Sequence, residues 1–176
     1  EGSRDSRDAA AGATIRMGKA APQAAGPALR RAFLAIDTAS DVPYLWSATR
    51  ATIGLALNAV GDTTARLWSR NILEGVVRAN VQPPGDRAQY RVRAAAAILG
   101  GARDSLGFSL LLAVTRRPLP AARREIMEAL IAYDTPQAWG AAASFAGTGY
   151  EARMDFVIAV RPSALGDPFV ARRVVE

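Results

Sequence analysis

The chain contains neither cysteine nor histidine, and Lys19 is its single lysine. Without thiols it forms no disulfide and supports no thiolate chemistry. Without imidazole a Ser-His-Asp triad, a histidine general base and a histidine-ligated metal are all excluded within this chain. Phosphate-binding signatures are missing as well. Gly100-Gly101 and Gly147-Thr148-Gly149 lack the Lys-Ser/Thr of a P-loop and do not fit a dinucleotide fingerprint, so they read as turn glycines. The only close carboxylates on one element are Glu125 and Glu128, with Asp134 beyond them, and a solvated helix face accounts for all three. No catalytic residue, metal site or cofactor is expected. An enzyme would have to work through carboxylate, Ser/Thr or Arg groups alone.

What the sequence does contain is alanine, aliphatic residues and arginine. Half of the 176 residues are hydrophobic while aromatics make up 7%. A chain of this length buries roughly 70% of its unfolded surface, and abundant alanine favours closely approaching helices. Basic residues number 22 against 16 acidic ones, a net charge of +6, and all but Lys19 are arginine. A GC-rich genome produces such a bias without function. A surface that grips phosphate or carboxylate produces it too, through the planar guanidinium fork.

Residues 1–20 mix Gly, Ala, Ser, Asp and Arg without period and read as a flexible arm, followed by a single globular domain over 21–176. The arm lacks the apolar segment of a signal peptide. Val42–Gly61 and Ala94–Val114 are apolar enough to raise the question of a membrane. Arg50 and the Arg103-Asp104 pair argue against it, because a charge at mid-bilayer costs several kcal/mol.

Leu29, Phe33 and Ile36 repeat with helical spacing and predict a helix over 27–39. A second helix follows Ser40 or Asp41 and is apolar almost all round, the pattern of a central helix. Gly61 ends it, Asp62 caps a third helix reaching about Asn80, and Glu74 to Arg78 suits an i,i+4 pair. Gln82-Pro83-Pro84-Gly85 is a turn. A helix is favoured over 87–99, although 89–94 alternates like a strand. Gly100-Gly101 breaks the chain, and 107–115 fits helix or strand equally. Pro120–Tyr133 forms a helix, a short helix carries Trp139 and Phe145, and 154–161 alternates as a strand. The fold class expected is mainly α, a helical domain with a minor β element in its C-terminal half, or α+β if 89–94 and 107–115 are strands.

Thr52–Asn71 has the outline of a helix-turn-helix, but its second helix carries Leu67, Trp68, Ile72 and Leu73 and reads as core. Trp46, Trp68 and Trp139 lie in apolar helical patterns, so core packing is their default role. The candidate functional surface is a polyanion site of Arg116, Arg117, Arg123 and Arg124 around Pro118-Leu119-Pro120 at a helix start, with Arg30-Arg31 near the arm. The competing reading of these arginines is a solvated face paired to Glu125 and Glu128.

The function expected is a non-enzymatic assembly or structural subunit of a larger particle or filament. It would meet itself or neighbouring subunits through the arm and the apolar tail Phe169–Val175, and nucleic acid or acidic protein through arginines. The alternative is a helical small-molecule-binding or regulatory domain with a pocket lined by the three tryptophans.

Overall fold

A computed structural model describes residues 22–36, 43–79, 85–147 and 150–160. The expected arm over 1–20 and the apolar tail after Val160 lie outside the described residues. Among the described residues eight α-helices carry the fold: α1 Pro22–Ala35, α2 Pro43–Ala59, α3 Thr64–Arg78, α4 Asp86–Ala102, α5 Ser105–Val114, α6 Arg123–Ile131, α7 Pro136–Ala146 and α8 Tyr150–Ala159. A 3₁₀ turn over Pro120–Ala122 leads into α6.

Several boundaries follow local chemistry. Gly61 takes φ +80° and ends α2 where a Cβ would be strained. Asp62 then accepts the Thr64 amide at 2.8 Å at the start of α3. Asp104 caps α5 by accepting the Gly107 amide at 2.6 Å, and Thr135 caps α7 by accepting the Ala138 amide at 3.2 Å. Pro136 occupies the first turn of α7, where a missing N–H costs nothing.

The helix at the centre is α4. It packs against α2, α3, α6 and the 3₁₀ turn. The sequence pattern favours α2 for that place because α2 is the more hydrophobic, but α4 has the smaller side chains. Val92, Ala94, Ala95, Ala96, Ile98 and Leu99 are all buried, and the alanines let helices approach on several sides at once. Ile98 joins Phe33, Leu57 and Ala65 in one cluster, while Leu99 and its neighbours join Leu73, Leu111, Ile126, Leu130 and Trp139 in the other.

Three expectations are corrected. The strand expected over 154–161 is not formed: residues 154–159 belong to helix α8, and among the described residues there is no strand for the segment to pair with. Phe156, Ala159 and Val160, spaced three and one apart on a helical face, are buried, and α8 packs on α6 and α7. The minor β element is therefore absent from the described residues, since 89–94 and 107–115 are also helical.

Gly100-Gly101 does not break the chain either, because α4 runs through both. A Cβ on Gly100 would lie 2.6 Å from the Ala129 Cα, so this glycine marks the closest approach of α4 to the α6 backbone. The chain turns instead at Arg103, whose φ of 47° places a non-glycine residue in the left-handed region.

No helix among the described residues is long and apolar enough to cross a membrane.

Candidate functional site

The six arginines singled out in the sequence do not form one surface. Arg30 donates from Nε and Nη2 to Asp62 Oδ2 at 2.8 and 2.5 Å, tying α1 to the α2–α3 turn, and Arg31 beside it is exposed. Burial pulls the Asp62 carboxyl upward, but hydrogen bonds from Thr64 and Arg30 outweigh it and hold the group below its usual range. Around the proline turn, Arg117 donates to the Val77 carbonyl at 2.7 Å. Arg123 lies 3.9 Å from Asp155, and Arg124 reaches Glu125 at 3.3 Å and Glu128 at 3.7 Å. Arg116 is exposed.

Beside that turn is a polar cleft of about 310 Å³ lined by Arg93, Pro120, Ala121, Arg124, Glu125 and Asp155. Glu125 receives the Arg93 guanidinium as well as that of Arg124, so cations and anions in the cleft largely offset one another.

The tryptophans also divide. Trp46 and Trp68 meet around Arg50, a residue only 1% exposed, whereas Trp139 is buried in the other cluster. The Arg50 guanidinium carbon lies 4.2 Å from the Trp68 ring centre, 4.6 Å from that of Phe33 and 5.3 Å from that of Trp46. Its Nη2 donates to the Phe33 carbonyl at 3.0 Å, and Trp46 donates its indole N–H to the Ile36 carbonyl at 2.7 Å. A cation among three aromatic faces gains from their quadrupoles, most of all when desolvated. The space that a Trp-lined pocket would offer is taken by this guanidinium.

A dense polar junction surrounds Asp104, which the sequence offers only as one of the charges interrupting the apolar stretch Ala94–Val114. Its carboxylate receives Arg70 Nε on Oδ1 at 2.9 Å and Arg70 Nη2 on Oδ2, in addition to the Gly107 amide. Its own carbonyl accepts the Tyr133 hydroxyl at 2.6 Å, so α3, α5 and the end of α6 meet there. Burial works against the ionised Asp104 carboxyl, yet the bonds from Arg70 and Gly107 and the charges of Arg70 and Arg66 prevail and lower its pKa. Burial, with the nearby Asp104 charge, pushes the Tyr133 hydroxyl well above the ordinary tyrosine range.

The opposite kind of surface lies on α8. Met154, Val157 and Ile158 are 42%, 47% and 56% exposed, on the side away from buried Phe156, Ala159 and Val160. The three-plus-one spacing of these residues is present in the sequence, where the alternation of Met154, Phe156, Ile158 and Val160 masks it. Among the described residues no group of carboxylates is placed to hold a metal.

No protein-family model matches the chain, and comparison with curated proteins and with solved structures gives no match.

Proposed function

We propose that this protein is a non-enzymatic assembly subunit that associates with a second copy of itself through the exposed face of α8. The supporting observation is that α8 carries apolar residues on two sides, Phe156 with Ala159 and Met154 with Val157 and Ile158, while only the first is covered among the described residues. A helix with that pattern belongs between two layers.

A second copy suits the face on electrostatic grounds. Of the flanking charges, Arg123 and Asp155 face each other within the chain, so an identical surface brought up by a two-fold axis finds that pair already compensated. Self-association is favoured over broad polyanion binding because Arg30, Arg123 and Arg124 already face carboxylates and Arg117 is held by a carbonyl.

Light scattering over a concentration series tests the reading. Wild-type protein should exceed the 18.6 kDa of one chain, and Val157→Glu with Ile158→Glu should return it to that mass with its helical circular dichroism intact. A wild type that remains at monomer mass at high concentration, or a double variant that still assembles, rejects it.

A further inference from the structure

Asp104, already engaged by Arg70 and the Gly107 amide, has two further arginines near it: Arg66, whose charge acts on its carboxyl, and its chain neighbour Arg103. Arg66 and Arg70 stand one turn apart on α3 and so share a face. Arg70 closes on Asp104 at the start of α5, and Arg117, beyond the end of α5, reaches Val77 seven residues further along α3. Helices α3 and α5 therefore run side by side in the same direction. Arg66, about 6 Å before Arg70 at the helical rise, lies toward the start of α5, close enough for its charge to lower the pKa of the Asp104 carboxyl.

The hydrogen bonding leaves the surroundings of Asp104 electropositive. Both Asp104 oxygens are engaged by Arg70, and Oδ1 also takes the Gly107 amide. Arg66 and Arg103 face no carboxylate in ion-pair range among the described residues, and the Arg66 Nε is buried with no hydrogen-bond acceptor. A buried donor without an acceptor costs roughly 1–3 kcal/mol. Arg103 is exposed and keeps a left-handed backbone that costs a residue with a Cβ about 1 kcal/mol. Three guanidinium groups against one carboxylate leave two positive charges, matching a phosphate dianion in magnitude and in the fork geometry guanidinium prefers.

From this we infer that Arg66, Arg70 and Arg103 form a binding site for a phosphate group, with Arg66 and Arg103 contacting the ligand and Arg70 held in place by Asp104. The site lies apart from α8 and is independent of self-association.

The probe is inorganic phosphate, measured against chloride at matched ionic strength. Phosphate should raise the melting temperature of the wild type and shift its arginine Nε–H NMR signals. The Arg66→Ala/Arg103→Ala variant should bind at least about tenfold more weakly, the loss expected for one charge-assisted hydrogen bond. Arg103→Gly alone relieves the left-handed backbone, keeps the fold and should still weaken binding. The variant Arg31→Ala/Arg116→Ala, removing two exposed arginines elsewhere, should bind as the wild type does. Competition by a short thymidine oligonucleotide for the same signals would identify a nucleic-acid backbone as the phosphate source, and its failure to compete would identify a small phosphate compound. No phosphate-specific response in the wild type, or an undiminished one in Arg66→Ala/Arg103→Ala, overturns the inference.

Discussion

The Arg70 guanidinium on α3 engages both carboxylate oxygens of Asp104, the residue that also caps α5. The Asp104 side chain is 3% exposed and that of Arg70 25%, so water does little to weaken the pair. Removing one partner of a buried pair strands the other, which is why such changes are costly even where the intact pair adds little. Asp104→Ala also removes the cap, and should lower unfolding free energy by roughly 3–5 kcal/mol in a urea titration.

The same carboxylate should shape acid stability. Its pKa in the folded protein is lowered, so its contribution is fully present above the unfolded value of about 3.9 and fades as pH falls through the folded value. Wild-type stability should therefore decline below about pH 4. Asp104→Asn, already destabilised at neutral pH, should show a shallower decline over that range.

Tyr133 governs the alkaline side. Its hydroxyl donates to the Asp104 carbonyl and its pKa is raised, so its contribution is present below the unfolded value of about 10 and is lost as pH climbs toward the folded one. Tyr133→Phe should cost about 1 kcal/mol at neutral pH through the lost hydrogen bond. Its stability should also fall less steeply than wild type above pH 10, as followed by circular dichroism in urea.

Two helical glycines should respond to alanine with opposite signs. At Gly100 the new methyl would meet the α6 backbone at Ala129, and Gly100→Ala should destabilise by about 1–3 kcal/mol. At Gly75, exposed in the interior of α3 with nothing near, Gly75→Ala should stabilise by about 0.5–1 kcal/mol. Paired denaturant titrations read both.

Arg50 acts as a structural cation within an aromatic enclosure. Arg50→Ala should cost about 3 kcal/mol or more, because it empties a buried volume and withdraws the donor from the Phe33 carbonyl. Millimolar methylguanidinium should raise the melting temperature of the variant and leave the wild type unchanged. Trp46 and Trp68, which face the same space, should report the return of a cation by fluorescence.

Much of the local structure is legible in the residues themselves. The spacing of Leu29 and Phe33 marks α1, Gly61 with Asp62 marks the α2–α3 turn, and Glu74 meets Arg78 at 2.8 Å as their four-residue separation implies. These features depend on neighbours a few positions apart, whose geometry is fixed once a helix forms. The absence of histidine and cysteine is likewise conclusive from composition alone, since no folding can create the missing chemistry.

Tertiary packing decided the rest. The segment 154–160 alternates like a strand, yet it is helical because it packs on α6 and α7 with no strand beside it among the described residues. Gly100 resembles a turn glycine until α6 is seen to press against it. The arginines show the difference most plainly: their number is a property of the sequence, but Arg30 finds Asp62, Arg70 finds Asp104 and Arg93 finds Glu125 across separations of 32 to 34 residues. Which guanidinium meets a carboxylate and which, like Arg66 among the described residues, does not is set by how the helices lie together, because an ion pair forms over a few ångströms of space and not along the chain.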